Sequence, residues 1–282
     1  MCGKSELDVA HSSKYKMMRL RYLVWIFFFC ASSAHAKSFD SEHILVVDDA
    51  SGKVILEKNA NNITPIASLT KLLTAMLVID SHATMDEKIT VEEADVDKLK
   101  HSSSRLPVGA TLTRGEMLQI ALMSSENRAA SALARHYPGG YAAFMAAAAA
   151  KVKALGMTQT VIVEPTGLSP QNVSTAADLM KLAKAASQYK LIREATSDEA
   201  EQLHVRRRDI EFHNTNSLVG KNGWKILLSK TGFTNEAGNC LIMQMLIAKK
   251  KATMVILKAR ARSTRLRDIV NIRRLLEARF DD

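Results

Sequence analysis

The chain has 282 residues, a net charge of +10 and 47% hydrophobic content, enough to bury one sizeable core with an attached subdomain. Three cysteines cannot form a disulfide framework, and none of the eight histidines has metal-ligand spacing, which argues against a zinc hydrolase. The basic excess calls for an anionic partner, yet aromatic content is only 5% and no basic run alternates with aromatics, so nucleic acid is disfavoured. In chain order, residues 14–36 read as an export signal. Lys14, Lys16, Arg19 and Arg21 precede an apolar run from Tyr22 to Cys30, and Ala34-His35-Ala36 is a small-x-small cleavage site. The apolar core is too short to span a membrane, so cleavage is favoured over a retained anchor. Glu6 and Asp8 do not suit a signal, and Met17 or Met18 would be a better start. Cleavage leaves residues 37–282 as the folded part of a periplasmic protein, with Cys240 as its sole cysteine.

Residues 43–58 read as a hairpin, with Asp49-Ala50-Ser51-Gly52 as its turn. A helix is expected to start where Thr64-Pro65-Ile66-Ala67 meets the apolar periodicity of Leu69, Leu72, Leu73, Met76 and Leu77. Residues 80–210 are expected to be mostly helical. Within them Thr113 caps a helix from Arg114 to Met123, and an alanine-rich run from Ala142 to Leu155 closes at Gly156. Three apolar stretches of strand length follow, at Lys225 to Thr231, Leu241 to Ala248 and Thr253 to Lys258. A basic amphipathic helix from Arg262 to Phe280 ends the chain, with Leu266, Ile269, Ile272 and Leu276 on one face. Packing on the sheet is the favoured role for that face, and peripheral membrane contact is the alternative. The short turns between strands imply antiparallel pairing in a sheet built from both ends of the chain.

Three short motifs carry the chemistry. They are Ser68-Leu69-Thr70-Lys71, Ser125-Glu126-Asn127 and Lys230-Thr231-Gly232. Ser-x-x-Lys also occurs at Ser13/Lys16 and Ser187/Lys190, so spacing alone does not select it. Position at an apolar helix start selects Ser68, and a separation of three puts Lys71 on the same helix face. A serine hydroxyl needs a base to attack an amide. A lysine buried on an apolar helix beside a second cation can act as that base near neutral pH.

The ordered trio resembles the penicillin-binding protein and serine β-lactamase superfamily. Glu164-Pro165-Thr166-Gly167-Leu168, Asn172-Val173-Ser174-Thr175-Ala176, Asn214-Thr215-Asn216 and Ala237-Gly238-Asn239-Cys240-Leu241 are similar to its D-alanyl-D-alanine peptidase branch. Ser124-Ser125-Glu126-Asn127 and Lys230 to Thr234 most resemble the type-7 endopeptidases. Ala148 and Ala149 depart from the Met-Asn pair of that pattern. The resemblance implies an α/β (α+β) fold of β-lactamase/transpeptidase type, with an antiparallel sheet between helices, an all-helical subdomain and the site in the cleft. It implies Ser68 as acylated nucleophile, Lys71 as base, Ser125 as proton relay and Asn127 as orienting group. Lys230, Thr231, Gly232 and Phe233 would hold substrate, the backbone N–H groups of Ser68 and Phe233 would form the oxyanion hole, and neither cofactor nor metal is called for. Glu164 is expected to belong to its turn rather than to act as a base.

The implied substrates are stem peptides of peptidoglycan, with β-lactam antibiotics as covalent inhibitors. Endopeptidase action is favoured over carboxypeptidase action, since the chain ends 50 residues after Gly232, too few for a further domain and anchor. A penicillin-sensing module without turnover is a rival of another class. A β-lactamase is the third reading, weakened by the lack of a clear Glu-x-x-x-Asn loop.

Overall fold

The computed structural model describes residues 39–280, so the export signal lies outside the described residues. The first hairpin is β1 (His43–Asp48) and β2 (Val54–Lys58), followed by β3 (Thr64–Pro65), a 3-10 turn at Ala67–Leu69 and α1 (Thr70–Asp80). Next come β4 (Lys88–Thr90), β5 (Thr111–Thr113), α2 (Arg114–Met123), α3 (Asn127–Arg135), α4 (Gly140–Ala154) and β6 (Val173–Ser174). The chain continues through α5 (Ala176–Ala186), α6 (Lys190–Ser197), β7 (Ala200–Val205) and β8 (Arg208–His213). It ends with β9 (Lys225–Thr234), β10 (Gly238–Ile247), β11 (Lys250–Ala259) and α7 (Arg262–Phe280).

The main sheet runs β2-β1-β11-β10-β9 and is antiparallel throughout, with His43 opposite Leu257 and Lys230 opposite Ile242. Its side chains alternate between two cores. Leu45, Ile242, Val255 and Leu257 join the larger core with α1 and α5, while Ile44, Leu241, Met243 and Met254 face α7. Ile269, Ile272 and Leu276 of α7 are fully buried there, which uses the helix's apolar face to cover the sheet. Each such aliphatic side chain contributes about 1.5–3 kcal/mol through burial. Asp268 ties this helix to the start of the folded part, accepting from the backbone N–H and hydroxyl of Ser41 at 2.8 and 2.5 Å. Among the described residues no helix is long and apolar enough to cross a membrane.

The segment between the two halves of the sheet is more mixed than its helix-rich reading. Besides α2 to α6 it holds two ribbons, β4–β5 and β7–β8. In the second ribbon Leu203 lies opposite Ile210, and Leu203, Val205 and Phe212 are buried, a period of two that marks a half-buried strand pair. Thr113 caps α2 as expected, through a reciprocal box in which Glu116 N–H donates to the threonine hydroxyl and Thr113 N–H donates to the glutamate. Ala148 lies in the core and Ala149 is exposed.

Candidate active site

Ser68 sits in the 3-10 turn one step before α1 rather than in the helix proper, and Leu69 caps that helix without a side-chain bond. The residue before it, Ala67, has φ of 47°, a left-handed conformation that costs a non-glycine residue energy and is found where surroundings enforce it. Two glycines leave the room it needs. A Cβ on Gly167, itself at φ 84°, would collide with the Ala67 carbonyl oxygen, and one on Gly232 would come within 3.0 Å of the Ser68 backbone nitrogen. The turn carrying Ser68 is therefore clamped between the Glu164–Leu168 loop and β9.

The helix α1 is buried nearly all round, Thr70 to Val78 included, so it is the central rod of the larger core rather than a one-sided surface helix. Lys71 is consequently only 1% exposed. Its Nζ donates to Ser68 Oγ at 3.0 Å, to Asn127 Oδ1 at 2.7 Å and to the Thr166 carbonyl at 2.7 Å. Burial lowers its pKa to about 8, with the nearby charges of Glu164, Glu126 and Asp97 opposing the shift. At pH 7 roughly a tenth of such an amine is neutral and able to accept a proton.

Glu164 is spent on its own turn, as expected. Its carboxylate accepts from Thr166 N–H at 2.7 Å, Gly167 N–H at 2.6 Å and Asn172 Nδ2 at 2.9 Å. That arrangement aims the Thr166 carbonyl at Lys71.

Asn127 opens α3, and besides accepting from Lys71 it donates from Nδ2 to Ser102 Oγ at 2.9 Å. Ser125 lies in the bend before it with φ of 63°. It makes no hydrogen bond to Lys71 or Lys230 among the described residues, so the relay contact expected of it is not formed in this state.

Lys230 and Thr231 come from β9, the edge strand beside β10. Lys230 is 1% exposed and donates to the Thr231 carbonyl at 3.0 Å. Burial holds its amine well below the usual lysine range, and the charges of Lys71 and Arg265 push in the same direction. Phe233, by contrast, is 61% exposed at the rim. Lys230 thus feels two like charges, while Lys71 also feels the carboxylates of Glu164, Glu126 and Asp97.

Several contributors escaped the sequence reading. Thr215 Oγ1 accepts from Thr231 Oγ1 at 2.6 Å, Ser102 holds Asn127, and Thr166 offers only a backbone carbonyl. Arg265, buried in α7, donates to the Cys240 carbonyl at 3.0 Å, and burial lowers its pKa to about 10. Thr215 and Thr166 lay inside recognisable motifs; Ser102 and Arg265 are brought in by contacts between distant segments.

The chain is 43% identical over 249 residues to the D-alanyl-D-alanine endopeptidase of Escherichia coli (strain K12), covering 88% of this chain and 80% of that one. It is 45% identical to the D-alanyl-D-alanine endopeptidase of Pseudomonas aeruginosa over 83% of this chain and 76% of that one. The crystal structure of penicillin-binding protein D2 from Listeria monocytogenes in the cefotaxime-bound form superposes with a TM-score of 0.74 at 27% identity, covering 84% of this chain and 97% of that one. Residues 30–261 match the profile of the D-alanyl-D-alanine carboxypeptidase family, peptidase S11, and the chain belongs to that family.

Proposed function

We propose that this protein is a serine D,D-endopeptidase that opens D-alanyl cross-links of peptidoglycan through an acyl-serine. The observation that carries this is the buried Lys71 amine, with a pKa of about 8, lying 3.0 Å from Ser68 Oγ on a strained turn. Neutral Lys71 takes the hydroxyl proton as Ser68 Oγ attacks the D-alanyl carbonyl carbon. The backbone N–H of Ser68 and that of Phe233 receive the oxyanion. Rotation of Ser125 would pass the proton to the leaving amine as the C–N bond breaks. Water then attacks the ester, again with Lys71 as base, and frees Ser68. A substrate carboxylate at Thr231 would favour the charged form of Lys230 beside it.

Endopeptidase action is preferred because both relatives at 43% and 45% identity carry that name. The test is a mass-spectrometric digest of cross-linked muropeptide dimers beside pentapeptide monomers. Dimers should fall to monomers. Release of free D-alanine with dimers untouched would make the protein a carboxypeptidase, covalent penicillin labelling without turnover of either would make it a sensor, and rapid hydrolysis of penicillin would make it a β-lactamase. The work would be done in the periplasm, after cleavage at Ala36. N-terminal sequencing of the exported protein should read Lys37-Ser38-Phe39-Asp40, and a membrane-retained full-length product would contradict it.

A further inference from the structure

Arg105, Arg128, Arg206, Arg207 and Arg208 line one cavity of about 920 Å³ together with Ser104. None of the five forms an ion pair among the described residues, where the paired arginines are Arg114, Arg135, Arg267 and Arg273. Three are positioned by neutral partners. Arg128 Nη1 donates to the Leu106 carbonyl at 2.7 Å, Arg105 donates to the Glu211 carbonyl, and Arg206 donates to the Val108 carbonyl. Backbone carbonyls fix the guanidinium groups without neutralising them. Arg206 lies over Gly109, where any Cβ would displace its guanidinium. It also occupies a φ of 58° in the two-residue turn between β7 and β8, a place that ordinarily goes to glycine or asparagine. The turn therefore gives up local stability to carry arginine.

This cavity is joined to the cleft. Arg128 follows Asn127 directly, and Ser104 Oγ donates to Glu126 at 2.6 Å. A second cavity of about 420 Å³ shares Ser104 and Arg105 with the first and is also lined by Ser124, Thr215 and Arg262. Thr215 in turn accepts from Thr231. Glu126 also lines this second cavity, its carboxylate accepting from Ser104 Oγ, and beyond it the arginines without ion pairs continue to the β7–β8 turn.

We propose that the arginine cavity is a subsite for a peptide bearing several free carboxylates, filled when a cross-linked stem peptide extends beyond the cleft. This rests on the peptidase reading above. Guanidinium groups present paired donors that match carboxylate geometry, and continuity with the cleft favours an extended substrate over a separate ligand.

The test is binding of a cross-linked muropeptide dimer to the Ser68→Ala protein by calorimetry, with and without Arg207→Gln/Arg208→Gln. The double change should weaken dimer binding about 5–10-fold, as expected for two partly exposed ion pairs. A dimer with amidated carboxylates should bind both proteins alike. In the Ser68 enzyme the same change should raise KM for the dimer with little effect on kcat. Unchanged dimer affinity, or an equal loss with the amidated dimer, would overturn the subsite. So would arginine-dependent binding to phosphatidylglycerol vesicles with dimer affinity unaltered, which would make the patch a membrane contact. Should the double variant lose its thermal transition, Arg207→Gln and Arg208→Gln singly should each give about a 2–3-fold loss. Binding to the Ser68→Ala protein needs no turnover, so a failure to cleave dimers would refute the peptidase reading while leaving the subsite decided by affinity.

Discussion

Lys71 Nζ donates to the carbonyl oxygen of Thr166, 95 residues further along the chain, at 2.7 Å. That bond joins the central helix to the Glu164 turn and turns the amine so that its other two donors meet Ser68 and Asn127. A side chain with three rotatable donors and large rotamer entropy is thereby fixed in one orientation.

Labelled penicillin should attach covalently to Ser68, and Ser68→Ala should abolish labelling with the fold retained. Peptide mapping by mass spectrometry checks this. Label on Ser125 or Ser187 would overturn the assignment of Ser68 as the nucleophile.

Acylation should rise with pH through about 8, where the Lys71 amine loses its proton, and level off above it. Stopped-flow acylation rates across pH 6–10 report this directly. Lys71→Arg should acylate at least about 100-fold more slowly, because arginine does not release its proton. Stability should follow the same sign. Unfolding returns Lys71 to its ordinary 10.5, so between about pH 8 and 10.5 the unfolded chain binds the extra proton and stability increases with pH. Buried Lys230, also depressed, adds to that slope.

Asn127→Asp would replace a neutral acceptor 2.7 Å from Lys71 Nζ with an anion. The charged form of Lys71 is then favoured. The inflection of the acylation profile should move to higher pH by about a unit or more, and the rate at pH 7 should fall about tenfold in step. An unmoved inflection would mean that another group sets the profile.

Gly167→Ala should act on stability and catalysis together. The added Cβ meets the Ala67 carbonyl oxygen, and φ of 84° already disfavours alanine. A loss of about 2–4 kcal/mol is expected, visible in denaturant melts, with slower acylation because the Ser68 turn shifts. Gly52→Ala is the control. It also has positive φ, but nothing lies within 4 Å of its added Cβ, so its cost should be smaller by the packing contribution.

Local chemistry made much of this protein readable from its residues. The Ser68–Lys71 spacing is a property of one turn, the Thr113–Glu116 box is complete within four residues, and β10 and β11 stand out as apolar stretches of strand length. The ends of α2 and α7 fell where capping and periodicity placed them. What α1 is surrounded by could not be read from its own apolar stripe, since its all-round burial comes from segments on every side. The same is true of the left-handed turn at Ala67, for which Gly167 and Gly232 leave room from two other parts of the chain. The arginine cavity has the same origin: Arg105, Arg128 and the Arg206–Arg208 turn are ordinary surface residues until the fold sets them around one space. Hydrogen-bond caps and side-chain period act over a few residues, so sequence alone determined them. Burial, field and steric pressure act through space, so only the tertiary structure decided how deeply Lys71 is buried and which arginines were left without an ion pair.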